Sequence, residues 1–214
     1  MQATGRRPQA KPDGWRWFGL KVHARNVELA ADLEVHLMPN GYVGICRLAD
    51  GVVNVCGLFR RSGETDSIPA RTEMLRGIPG SMLRERLAKA EFVSESMCAV
   101  GGLDLRPNHE DNVNECRIGD ALTMIPPFTG NGMSMSFEAA GLAAGPLEEW
   151  SRGKSSWVEA QTNIASRCET AFRRRLTWAG RLHAMMFIGP LQPLVAAWLP
   201  RSGWAWEFLF SHTR

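Results

Sequence analysis

Apolar and polar positions alternate with a period of two across residues 15–59. Leu33, Val35 and Leu37 are separated by Glu34 and His36, the pattern of a half-buried strand. Pro39-Asn40-Gly41 then predicts a tight turn, because Asn-Gly accepts the positive φ that a short hairpin needs. Residues 42–48 read as the return strand, Asp50-Gly51 as a second turn and residues 52–59 as a third strand. Strands joined this closely predict an antiparallel meander.

Beyond the meander the period changes. Residues 62–68 predict a loop, and residues 80–92 a helix with Met82, Leu83, Leu87 and Ala90 near one face. Residues 99–114, with paired glycines, Pro107 and several Asn and Asp, predict another loop. Cys116-Arg117-Ile118 reads as a short strand running into Gly119-Asp120. Such a strand cannot stay unpaired, and its partners are not evident elsewhere in the chain. After Gly132 the spacing is helical, with Met133, Phe137, Ala140 and Ala144 recurring, and a second long helix is expected over about residues 156–181. The apolar tail over 182–210 is broken by Pro190, Pro193, Pro200 and Arg201. No run there reaches the roughly 20 apolar residues that span a bilayer. Short buried helices are expected instead, and a monotopic membrane contact through Trp198, Trp204 and Trp206 is the other reading. No repeat or low-complexity segment interrupts the pattern.

Composition narrows the function classes. At 214 residues, 44% apolar and 22% charged, the chain is long enough to bury a core as one large domain or two small ones. A net charge of +3, from 25 basic and 22 acidic residues, is too small and too dispersed for a nucleic-acid partner. Arg173-Arg174-Arg175 reads as a solvated helix face. Five cysteines without a CxxC pair predict free thiols and a cytoplasmic setting, and the scattered histidines predict no metal site. Residues 1–14 are polar, carry Pro8 and Pro12, and read as a flexible lead-in with no secretory signal.

The stretch that carries chemistry is Gly119-Asp120-Ala121 followed by Pro126-Pro127-Phe128-Thr129-Gly130-Asn131-Gly132-Met133. A strand ending in Gly-Asp places a carboxylate at the strand's carboxyl end, where α/β folds bind ligands and where it can accept hydrogen bonds from ligand hydroxyls. Two prolines stiffen the loop that follows. Gly130 and Gly132 leave the backbone bare, so that amides can approach a ligand, and the loop feeds a helix amino terminus that favours an anion or an electron-rich carbonyl. The helix itself is rich in small residues: Ala139, Ala140, Gly141, Ala143, Ala144 and Gly145. Singly, each dipeptide is ordinary turn chemistry. In strand–loop–helix order they point to a ligand.

These residues resemble the second FAD-binding motif of the aromatic-hydroxylase class of flavoproteins, which includes flavin monooxygenases, flavin-dependent halogenases and geranylgeranyl reductases. The resemblance implies that Gly119 and Asp120 meet the ribityl or pyrophosphate part of FAD. It likewise implies that Pro127, Gly130, Asn131, Gly132 and Met133 lie against the isoalloxazine ring. Lys21-Val22-His23, the Gly41-Tyr42 turn and residues 53–58 resemble the substrate-domain sheet of the same group, and residues 173–181 its reductase-like tail. Two features depart from the family. No GxGxxG run, which would bind the ADP half of FAD, is present in these 214 residues. Gly44, Cys46 and Arg47 stand where geranylgeranyl reductases carry an aromatic and Phe-Pro, so a prenyl-lipid substrate is not implied.

The expectation is therefore an α+β chain that forms part of an α/β FAD-binding fold. It comprises a lead-in (1–14), an antiparallel substrate-domain sheet with a helix (15–114), the second FAD-binding strand–loop–helix (115–150) and a helical carboxy-terminal region (151–214). The implied function is an FAD-dependent oxidoreductase of monooxygenase or reductase type, driven by NAD(P)H and acting on a small organic molecule. The alternative is a non-catalytic fragment, or one chain of a split flavoprotein whose partner supplies the GxGxxG domain. No catalytic acid or base is assigned.

Overall fold

The computed structural model describes residues 1–5, 15–62, 70–105, 115–189, 192 and 202–213. The polar lead-in over 6–14, the loop over 63–69, residues 106–114 and the prolines of the tail lie outside the described residues. The chain divides into two compact units, Pro8–Leu103 and a second formed by Met1–Arg7 with Asp104–Arg214.

The first unit is an antiparallel sheet of five strands: β1 (Trp15–Arg25), β2 (Leu33–Met38), β3 (Gly41–Arg47), β4 (Val53–Ser62) and β5 (Glu91–Leu103), in the order β2-β3-β4-β1-β5. The meander β2–β3–β4 is the one the alternation predicts, with Leu37 opposite Tyr42 and Gly44 opposite Cys56. One face is packed. Leu20, Val22 and Ala24 of β1, Val43 and Ile45 of β3, and Val53 and Val55 of β4 form a buried cluster with Leu75, Leu83 and Leu87. Those last three come from α1 (Arg71–Arg76), from α2 (Met82–Arg86) and from the turn after it.

Two expectations about this unit are corrected. The helix expected over 80–92 is only Met82–Arg86, capped by the Ser81 side chain, and Phe92 belongs to β5. Ala99 to Leu103, expected as loop, are the end of that same strand. β5 is an edge strand with a register shift opposite Lys21 and His23, where Ser96 Oγ accepts a hydrogen bond from His23 N at 2.7 Å. A bulged edge strand with one side toward solvent has no need of strict alternation, and its Gly101-Gly102 pair resembles a turn in sequence.

The alternation in β2 also has its faces reversed. Leu33 and Val35 are 62% and 43% exposed, whereas the side chains of Glu34 and His36 are each only 12% exposed. Glu34 is held there by hydrogen bonds from Ala30 N at 2.6 Å and His36 Nε2 at 3.2 Å and by an ion pair with Arg86 of α2, Nε at 3.3 Å. Burial pushes the His36 pKa below its ordinary value, against the opposing pull of Glu34.

In the second unit a single parallel bridge joins Gln2 to Arg117, with Gln2 N donating to Cys116 O and Ile118 N donating to Gln2 O. Residues 116–118, expected as a short strand, thus form only this isolated bridge with the chain's own first residues, too short to count as a strand. Two long helices follow, α3 (Gly132–Ser151) and α4 (Trp157–Met186). The second begins with a capping box in which Ser156 Oγ accepts from Glu159 N and the Glu159 carboxylate accepts from Ser156 N. A further helix, α5 (Gly203–Thr213), lies along α4, with Phe208 edge-on to Trp178 at 5.3 Å between ring centroids. Arg175, read from sequence as part of a solvated face, instead reaches Glu138 of α3, while Arg173 pairs with Glu169 on the surface of α4. Among the described residues no helix is long and apolar enough to cross a membrane.

The face of α3 that packs is also not the one with the larger apolar residues. Met135, Ala139, Ala143 and Pro146 are buried, facing Ile164, Cys168 and Phe172 of α4. Met133 and Phe137 are 77% and 79% exposed. Small side chains let the two helix backbones approach closely, which selects the alanine face for the contact. Phe137→Ser is therefore expected to change the unfolding free energy of this chain by no more than about 0.5 kcal/mol, as read from denaturant melts.

Candidate functional site

The chemistry-bearing segment starts where the extended backbone of Ile118 (φ −138°, ψ 163°) breaks at Gly119 (φ +61°). A Cβ at Gly119 would fall 3.1 Å from Ser136 Oγ, so glycine is required here both by the left-handed backbone and by the approach of α3. Residues Gly119–Ala121 form one turn of 3-10 helix, burying Ala121 and leaving Asp120 half-buried just beyond the Arg117 bridge. Burial pushes the Asp120 carboxyl above the ordinary aspartate range.

Pro126 and Pro127 then stiffen the chain into a second 3-10 turn, Pro127–Thr129, which closes on Gly130 in the left-handed region (φ 68°). Asn131 is 6% exposed and stands at the N-cap of α3 without capping it through its side chain. The amides at the start of α3 therefore lack a side-chain cap, and the first turn of a helix leaves its N–H groups without intrahelical partners. Gly132, the first helical residue, is bare without being forced to be so. Its Cβ would meet only Ile125 Cγ2, at 3.9 Å, an ordinary contact.

Asp120 and Gly132 line one cavity, together with Gly119, Thr123, Ser136 and Phe172. The space enclosed is about 10 Å³, room for about one water molecule. The Thr123 hydroxyl oxygen is buried and has no hydrogen-bond partner among the described residues. Beneath it Cys116 and Cys168 belong to the core, and burial, then Cys116 and Glu138, push the Cys168 thiol up to about 11. A thiol so placed stays protonated near neutral pH.

Of the residues singled out in the sequence, Gly119, Asp120 and Gly132 meet at this cavity. Gly130 and Asn131 shape the turn that leads into it, and Pro127 opens the 3-10 turn before them. Met133 is on the exposed face of α3 and does not line the cavity. Thr123, Ser136 and Phe172 were not legible as site residues. Ser136 lies one helical turn beyond Gly132, and that spacing was the available signal; Phe172 comes from α4, distant in sequence. As a physical object the site is a rim carrying one carboxylate acceptor, the hydroxyls of Thr123 and Ser136, a bare backbone and an uncapped helix start. Those are the donors and acceptors that a polyhydroxylated or carbonyl-rich ligand would engage.

No family sequence model and no curated protein sequence matches the chain. Solved structures do. A halogenase, PltM, crystallised with phloroglucinol and FAD, superposes with a TM-score of 0.61 at 12% identity, over 84% of this chain and 43% of that one. The peptidyl tryptophan dihydroxylase QhpG, essential for tryptophylquinone cofactor biogenesis, gives 0.59 at 20% identity, over 88% and 43%. PqsL, a probable FAD-dependent monooxygenase from Pseudomonas aeruginosa, gives 0.51 at 15% identity, over 83% and 50%. The chain spans half or less of the length of each of these proteins. Across most of its own length it shares the fold of the matching portions of these proteins.

Proposed function

We propose that this chain is the part of an FAD-dependent oxidoreductase that holds the flavin side of the cofactor, with residues 119–133 as the cradle. The observation that carries this reading is the meeting of Asp120 and Gly132 on one cavity, above an uncapped helix start. Asp120 accepts hydrogen bonds from ribityl hydroxyls, which lets its buried carboxylate stay ionised. The bare backbone over Gly130–Gly132 and the α3 amides face the electron-rich edge of the ring. Thr123 Oγ1, buried and unpartnered, is available as a further donor or acceptor. Bound flavin would supply two-electron redox chemistry with NAD(P)H as the reductant, toward a small organic substrate. The chain's own residues bind and orient; none is assigned as acid or base.

A cavity of about 10 Å³ encloses no flavin, and these 214 residues contain no GxGxxG run. Those two facts favour a specific form of the proposal, in which the ADP half of FAD is bound by a different stretch of polypeptide. This chain alone then gains little from the adenylate. Equilibrium titrations with flavin fluorescence as the readout are expected to give FMN and FAD affinities within about threefold of each other, since no GxGxxG run is present here to cradle the second phosphate. Gly132→Ala is expected to weaken both by about tenfold while changing thermal stability little, because its methyl meets space within the protein but intrudes on the ring. Absence of any flavin quenching at millimolar concentrations would remove the function from this chain alone. Recovery of yellow colour on adding a polypeptide that carries a GxGxxG domain would then assign it to a split enzyme.

A further inference from the structure

The first unit carries a feature that the flavin reading does not use. At the end of the sheet where β1 begins, the β2–β3 hairpin turns and β5 ends, a groove of about 1460 Å³ opens beside α1. Its described lining includes Arg16, Arg60, Arg61, Arg71 and Arg84 against one acidic residue, Glu73. Its floor is apolar, with Phe18 and Phe59 stacked at 5.6 Å between centroids and with Met38 and Met74 beside them.

The cations are not equivalent. Arg84 is paired with Glu73 at 2.7 Å, and the Arg60 guanidinium stacks over the Trp15 ring at 4.3 Å. Arg71, the first residue of α1, is exposed and makes no ion pair among the described residues. A side chain in that state is hydrated and gives up no ion pair with the described residues when it turns to a ligand.

We propose that this groove binds a free amphiphilic anion, a small molecule with an apolar body and a carboxylate or phosphate head, with Arg71 as the head-group ligand. The apolar floor receives the body and the arginine rim selects the charge. The groove is concave, so a single molecule reaches its floor where a flat bilayer surface would not. The site stands independently of the flavin cradle.

The test uses the full chain and isothermal titration with decanoate, with decanol as the uncharged control. Decanoate is expected to bind saturably at one molecule per chain and at least about tenfold more tightly than decanol. Arg71→Gln should weaken decanoate by about tenfold and leave decanol unchanged, and Arg71→Lys should keep decanoate affinity within about threefold. Since Arg71 is exposed and outside the core cluster, both variants are expected to melt as the wild type does. Equal affinity for decanoate and decanol would overturn the proposal, as would an Arg71→Gln variant that binds decanoate normally. Binding to phosphatidylglycerol vesicles without binding to free decanoate would also overturn it, and would assign the surface to a membrane.

Discussion

Asp120→Asn is expected to weaken flavin binding by about tenfold while leaving the folded chain at least as stable as the wild type near neutral pH. The two effects have one cause. Burial pushes the Asp120 carboxyl above its ordinary range, so ionising it costs folding energy. Between the unfolded and the raised folded pKa the native state binds more protons than the unfolded state, so stability falls as pH rises through that window. A neutral amide removes this dependence. Thermal melts of wild type and Asp120→Asn should coincide most closely at low pH and separate as pH rises past the aspartate range, with the variant higher. Flavin titrations should move the other way, because an amide gives up the charge that strengthens the hydrogen bonds from ribityl hydroxyls. A residue that costs stability when empty and contributes affinity when filled belongs to a binding site. If Asp120→Asn keeps both its flavin affinity and a wild-type pH profile, the carboxylate is structural and the cradle is misassigned.

Gly41→Ala is expected to cost about 3 kcal/mol or more of folding free energy, measured by urea melts. Gly41 closes the β2–β3 hairpin opposite Phe59, and a Cβ there would fall 2.6 Å from the Leu58 carbonyl oxygen and 2.7 Å from Phe59 Cδ1. The ring could turn away. The carbonyl belongs to the backbone of β4, so relief requires β3 and β4 to separate at the edge of the core. Gly44→Ala, three residues along the same strand, is the control. Its Cβ would lie 3.8 Å from Cys56 O, ordinary contact, and its cost should stay below about 0.5 kcal/mol. Equal effects at the two positions would mean that the hairpin accommodates the methyl.

Much of the architecture was determined by local sequence. Asp50-Gly51 sets the second turn with positive φ at both residues, and a turn at 39–40 joins β2 to β3 without the positive φ expected of Asn40-Gly41. The Ser156–Glu159 pair starts α4, and a turn at Gly119 leads through the proline loop into α3 as expected. Each of these depends on backbone preferences within a few residues, which composition and spacing report directly. The meeting of Gly119, Asp120 and Gly132 at one cavity was legible for the same reason: these residues are close in sequence and close in space.

Which face of each element turns inward was decided only by the tertiary structure. A period of two defines two faces of β2 without ranking them, and the inward one carries Glu34 and His36 because Arg86 arrives from α2 to satisfy Glu34. A period of 3.6 likewise marked Met133 and Phe137 on α3, yet the buried side is Met135, Ala139 and Ala143, where small residues admit α4. β5 was missed because a bulged edge strand ends in Gly101-Gly102 and alternates poorly. Phe172 at the cradle and the convergence of Arg71 with Arg16 and Arg60 on one groove depend on contacts between distant segments. Local rules fix conformation, whereas burial is a property of pairs of surfaces, and the second surface is not written in the segment that meets it.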